Sequence, residues 1–183
     1  AETIIQVALP ELHVTWLCVT LLSVLYFIYC SEMWNQLDAL TGLLNQNSYL
    51  KQTGGVRCKG GVLVVFDVDD FKQINDQYGH IQGDLCLAGI AECIKKSYAN
   101  FGYCYRIGGD EFCVLLKNGG NEGRCKQEFL QRLQEKRGEI AFLPTVSYGS
   151  APFSGEDIVK VKDRADQDMY QYKKERKNRK RLS

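Results

Sequence analysis

Gly61-Val-Leu-Val-Val-Phe-Asp67-Val-Asp69-Asp70 is a continuous apolar run that follows Gly60 and ends in three carboxylates. It has no polar alternation, so it reads as a central strand covered on both faces. Carboxylates at the C-terminal end of a buried strand lie at the sheet edge where sites form. Oxygen ligands of this kind suit Mg²⁺, which takes one or two protein carboxylates and completes its shell with water and phosphate. Taken alone, the same acids would equally serve a turn and the cap of a following helix.

The flanking sequence alternates helix and strand signals. Phe71 to Tyr78 has room for two helical turns. Leu85, Leu87, Ala88, Ile90, Ala91 and Ile94 form a helical apolar stripe, with Asp84 as its expected cap. Tyr103 to Ile107 and Phe112 to Leu116 are short apolar runs separated by Gly108-Gly109-Asp110-Glu111. Glycines there permit positive φ, so a hairpin is expected. Glu122 to Arg137 reads as a polar amphipathic helix, Thr145 to Ala151 as a strand, and Asp157 to Lys174 as a last helix. If the hairpin strands lie beside the 61–67 strand, two acidic groups meet at adjacent strand ends. That is the arrangement for two metal ions in phosphoryl and nucleotidyl transfer.

Upstream the composition changes. From Leu12 to Ser31, 20 residues carry no Asp, Glu, Lys or Arg. A helix of that length spans about 30 Å, the thickness of a bilayer core. Trp16 at one end and Tyr26, Tyr29 and Trp34 at the other fit interfacial anchors. The first Lys or Arg is Lys51, so charge gives no orientation. The start at Ala1 and the apolar stretch Ile4 to Leu9 before Pro10 suggest a piece of a larger membrane protein.

Composition narrows the function classes. The 183 residues suffice for one ordinary domain with an appendage. A net charge of +1 argues against binding nucleic acid by bulk charge. The 8 cysteines include no C-x-x-C pair and only two histidines are present, which disfavours structural zinc. Cys18, Cys30, Cys86 and Cys113 sit in apolar runs and read as small buried hydrophobes. The tail Lys173 to Arg181 holds seven basic residues in nine and reads as a solvated end.

Gly108-Gly109-Asp110-Glu111-Phe112 resembles the namesake motif of the GGDEF family, the diguanylate cyclases. Five fixed residues arise by chance in such a chain about once in ten thousand. Further stretches resemble the family in the same order. Asp38-x-Leu40-Thr41-Gly42-Leu43-x-Asn45 is similar to its opening motif. Asp67-x-Asp69-x-Phe71-Lys72-x-x-Asn75-Asp76-x-x-Gly79-His80-x-x-Gly83-Asp84 is similar to its metal and nucleotide motif. Ala165-Asp166-x-x-Met169-Tyr170-x-x-Lys173 is similar to its closing helix. The resemblance covers about residues 36 to 180.

The resemblance implies an α/β (α+β) fold like the nucleotidyl-cyclase palm, a mainly antiparallel sheet flanked by helices, here preceded by the apolar N-terminal helix. It divides the chain into a membrane segment with a short linker, 1–34, and a catalytic domain with a basic tail, 35–183. It implies condensation of two GTP into cyclic di-GMP across a head-to-head homodimer, with two Mg²⁺ per site, for which Mn²⁺ can substitute. Asp110 and Glu111 would be the catalytic acids, Asp110 as proton acceptor. Asp67, Asp110, Glu111 and the Val68 carbonyl would ligate metal. Asn75 and Asp84 would match the guanine edge. Lys72, Lys173 and Lys177 would meet phosphates, and His80 and Arg106 fall at further substrate positions, with Arg106 alternatively pairing an acid. Ala99 and Gly102 replace the Arg and Asp of the family's inhibitory product site, so that site is expected to be absent. The alternative to an active cyclase is a silent GTP-binding module of a membrane receptor.

Overall fold

The computed structural model describes residues 2–34, 36–54, 60–117 and 119–182, and within the first and last helices the side chains of 14–32, 158–176 and 178. The chain divides into two compact units, Ala1–Gln36 and Leu37–Ser183.

The first unit is one helix, α1 (Glu2–Trp34). It is longer than the 12–31 run and passes through Pro10, so the apolar stretch before the proline belongs to it. Val14–Glu32 has a mean hydropathy of 1.9 and is long and apolar enough to cross a bilayer. Trp16, Tyr26, Phe27 and Tyr29 are all exposed. Cys18 is exposed and Cys30 half-buried, contrary to the expectation of buried thiols. Within this unit α1 has no second element to bury them.

The second unit is a four-stranded sheet between two helical layers. Its elements are α2 (Gln46–Thr53), β1 (Gly61–Val68), α3 (Phe71–Tyr78), α4 (His80–Tyr98), β2 (Gly102–Arg106), β3 (Glu111–Leu116), α5 (Glu122–Glu139), β4 (Val146–Phe153) and α6 (Ile158–Leu182). The strand order is β2-β3-β1-β4, and every pairing is antiparallel. β1 is central, as its apolar run requires.

The pleat sends alternate β1 side chains to opposite layers. Val62, Val64, Phe66 and Val68 join Leu87, Ile90 and Ile94 of α4 and Phe129 and Leu133 of α5 in one core. Leu63 and Val65 join Val161 and Ala165 of α6 and Tyr49 of α2 in the other. Phe66 packs edge-on against both Tyr98 and Phe129, with centroids 5.6 and 5.1 Å apart. Cys86, Cys93, Cys104, Cys113 and Cys125 are buried free thiols within this packing. Cys58 lies outside the described residues.

The expected cap of α4 is corrected. The helix starts at His80, four residues before Asp84. Gly79, with φ 86° and ψ 159°, breaks the chain between α3 and α4, and its carbonyl accepts from the Gly83 N–H at 3.1 Å. Asp84 therefore stands in the second turn with its side chain exposed rather than consumed by a cap.

Candidate active site

The site is built on the edge where β1 ends and β3 begins. Asp67 is the direct cross-strand partner of Glu111, which puts both carboxylates on the face that α6 covers. The Val68 N–H donates to the Asp110 carbonyl at 3.2 Å, carrying the pairing one residue beyond the strand. Asp67, Val68, Asp110 and Glu111 are thus brought to one sheet edge, which is what strand–hairpin adjacency required.

The hairpin between β2 and β3 is made differently from the expectation. Neither Gly108 nor Gly109 has positive φ; among the described residues the glycines that do are Gly42, Gly60, Gly79 and Gly155. The turn closes through the Ile107 and Gly108 N–H groups on the Glu111 carbonyl, at 3.0 and 3.3 Å. What the glycines supply is space: a Cβ on Gly109 would meet nothing within 4 Å. A ligand can therefore approach this backbone closely.

Arg106 holds the tip from below. Its guanidinium donates to the Gly109 carbonyl from Nε at 3.2 Å and Nη2 at 2.7 Å. Nη1 pairs with Asp38 at 3.1 and 3.3 Å. Asp38 also accepts from the Thr41 N–H and hydroxyl at 2.9 and 2.6 Å. Burial alone would push the Asp38 carboxyl up, but the hydrogen bonds from Thr41 and Arg106 outweigh it and hold it below its ordinary value. Of the two readings of Arg106, the acid-pairing one describes its contacts here.

Lys173 of α6 pairs with Asp67 through a very short contact, and lies 3.3 Å from Asp69. Burial alone would lower its ammonium; the two carboxylates outweigh that and raise it. Asp69, only 4% exposed, takes no part in the open edge. It accepts from Ser147 Oγ at 2.8 Å and Thr145 Oγ1 at 2.9 Å, and pairs closely with Arg176. Arg176 donates to Thr145 Oγ1 as well, at 2.9 Å. Burial would push the Asp69 carboxyl up, but Arg176, Ser147 and Thr145 hold it below its ordinary value. Asp69 and Arg176 thereby lock α6 to the start of β4 and set Lys173 against Asp67.

Arg176, Thr145 and Ser147 were not singled out in the sequence. The available signal was slight: Arg176 stands three residues after Lys173, on the same helix face, but it is hidden in a run of basic residues. Asp70 caps α3 through its backbone, with φ 54° and no side-chain cap bond.

The nucleotide candidates lie on the α3–α4 corner. Lys72 and Asn75 are three apart on α3, and His80 and Asp84 four apart on α4. Lys72, His80 and Asp84 are exposed and Asn75 is half-buried. The Lys177 side chain lies outside the described residues. Ala99 follows the end of α4, and Gly102 starts β2 pressed against β3. A Cβ at 102 would sit 2.2 Å from the Leu115 carbonyl oxygen, so no side chain fits there in this backbone.

Among the described residues no three His, Cys, Asp or Glu side chains form a preassembled metal cage. The donors at the edge nonetheless fit Mg²⁺, which needs only one or two carboxylates when phosphates complete its shell. The Lys173 ammonium already occupies Asp67 as a cation would.

The chain is similar to curated diguanylate cyclases. The chain is 35% identical over 159 residues to diguanylate cyclase DgcP of Pseudomonas aeruginosa, covering 78% of this chain and 23% of that protein. It is 29% identical over 165 residues to diguanylate cyclase DgcZ of Escherichia coli, covering 84% and 55%. The chain spans about half or less of the curated relatives it matches. The fold is similar to that of the coiled coil and GGDEF domain of DgcB from Caulobacter crescentus, with a TM-score of 0.73 at 23% identity over 90% of this chain and 94% of that one. The family described as diguanylate cyclase, GGDEF domain, matches residues 35–179, and the chain belongs to that family.

Proposed function

We propose that the chain is a membrane-anchored diguanylate cyclase, with a membrane segment in 1–34 and a catalytic domain in 35–183 on the cytoplasmic side. Each of two domains in a head-to-head homodimer holds one GTP. Each 3′-hydroxyl oxygen bonds to the α-phosphorus of the other nucleotide, and each bond from that phosphorus to pyrophosphate breaks. The products are cyclic di-GMP and two pyrophosphates.

The observation that carries this reading is the strand-end register. Asp67 opposes Glu111, and Asp110 is bonded through its carbonyl to Val68. In this reading Asp67, Asp110, Glu111 and the Val68 carbonyl hold Mg²⁺, or Mn²⁺ in its place. The ion, when bound, acidifies the 3′-hydroxyl and neutralises charge on the α-phosphate. Asp110 accepts the hydroxyl proton. Lys72 and Lys173, with Lys177, meet the phosphates as point charges. Asp84 and Asn75 match the donors and acceptor of the guanine edge, and His80 lies beside them. Arg106 acts through the hairpin it braces. The Val14–Glu32 stretch supports the anchor.

The full chain in detergent, incubated with GTP and Mg²⁺ and analysed by mass spectrometry, is expected to yield cyclic di-GMP and pyrophosphate. Intact GTP binding without product, even when dimerisation is forced by a fused coiled coil, would favour the silent module instead. The reading also predicts freedom from product inhibition at the position of Ala99 and Gly102. Neither residue has a side chain that can pair with a phosphate or a base. Initial rates with and without added cyclic di-GMP should coincide, and a marked fall would show that the product acts at another surface.

A further inference from the structure

Gly83 lies inside α4, where glycine is the wrong residue for the helix. Glycine is a far poorer helix former than alanine in a helix interior. No conformational need accounts for it, because the left-handed turn between α3 and α4 is made by Gly79, and Gly83 is not among the positive-φ residues. What Gly83 provides is room. A Cβ built there would lie 1.9 Å from Asn75 Oδ1, 3.1 Å from Asn75 Cγ and 3.2 Å from Phe71 Cζ. The side chain of Asn75 therefore rests directly on the bare backbone of position 83, one residue before Asp84.

We propose that Gly83 is a positioning residue for base recognition. By lacking a side chain it lets the Asn75 carboxamide lie against α4 beside Asp84, so that amide and carboxylate together meet one purine edge. This rests on the reading of Asn75 and Asp84 as guanine contacts. Physically, the two partners of a Cβ at 83 differ. Asn75 Oδ1 is the end of a flexible side chain and swings away at little cost. Phe71 needs to give only a few tenths of an ångström. The Gly83→Ala chain should therefore fold as well as the wild type, with the gain in helix propensity offsetting the crowding. Its Asn75 amide, however, is displaced.

The test is a double-mutant cycle on the full chain, read by calorimetric titration with α-thio-GTP, with α-thio-ATP as the comparison nucleotide. Gly83→Ala and Asn75→Ala are each expected to weaken the guanine nucleotide about tenfold, the worth of one hydrogen bond to the base. The double variant should be no weaker than either single one, because both remove the same contact. Adenine nucleotide binding should not change, and the melting temperature of Gly83→Ala should equal or exceed that of the wild type. Additive losses would overturn the proposal, as would wild-type binding in Gly83→Ala when Asn75→Ala binds weakly. So would a lowered melting temperature that persists in the double variant, since the added methyl would then be acting on Phe71. Unchanged binding in Asn75→Ala would instead overturn the reading of Asn75 itself.

Discussion

Replacing Asp110 with alanine is expected to lower cyclic di-GMP formation by about a hundred- to a thousandfold, the scale on which single preorganised charges act in a transition state. The fold should be left intact. Asp110 is half-buried at the hairpin tip, and among the described residues its side chain makes no hydrogen bond or ion pair. Its structural contribution is the carbonyl that accepts from the Val68 N–H, and alanine keeps that. Product measured by mass spectrometry should therefore collapse while the melting temperature stays within a few degrees. Unchanged turnover would remove Asp110 from the chemistry. A large fall in melting temperature would make the residue a structural one.

Asp69→Ala is expected to do the reverse first, destabilising the domain by about 3–5 kcal/mol, the cost of removing one partner of a buried ion pair. For a chain of this size that is about 10 °C in melting temperature. The cause is specific. Asp69 is the acceptor for Ser147, Thr145 and Arg176 at once, and its loss leaves the Arg176 guanidinium facing no carboxylate against β4. Lys173 also loses its 3.3 Å neighbour, so activity should fall with stability. Asp69→Asn, which keeps the shape, should cost less.

The effect carries a pH signature. The Asp69 carboxyl is lowered in the folded state from its ordinary value of 3.8. Its stabilisation is therefore fully present above that value and is lost as the pH falls through the lowered one. Wild-type and Asp69→Ala melting curves, well separated at neutral pH, should converge below about pH 4. A gap that survives strong acid would mean that Asp69 stabilises by packing rather than by charge.

Most of the fold was legible because it rests on patterns local in the chain. An eight-residue run without polar alternation has to be a covered strand, and β1 is the centre of the sheet. The stripe from Leu87 to Ile94 has to bury one helix face, and α4 does so against β1 and β3, although Leu85, expected on the same stripe, is exposed. The family motif added what periodicity could not, a pairing between β1 and a distant hairpin. That pairing brings Asp67 opposite Glu111 across 44 positions of sequence.

The errors were errors of local inference at places where another residue supplied what was needed. Asp84 has the chemistry of a cap, but Gly79 turns the corner five residues earlier and frees it. Gly108 and Gly109 have the freedom for a left-handed turn, but the Arg106 guanidinium and two N–H groups on the Glu111 carbonyl close the hairpin without it.

The sequence by itself determined the family and, apart from α2, the elements of the second unit, since these depend on residue type and spacing along one chain. Only the tertiary structure decided which charges meet. Lys173 against Asp67, Arg176 on buried Asp69, Arg106 on Asp38 and the Asn75 carboxamide on bare Gly83 all join separate elements. A basic residue in a run of seven looks like its neighbours until the helix is laid on the sheet. Burial then makes one contact far stronger than the rest.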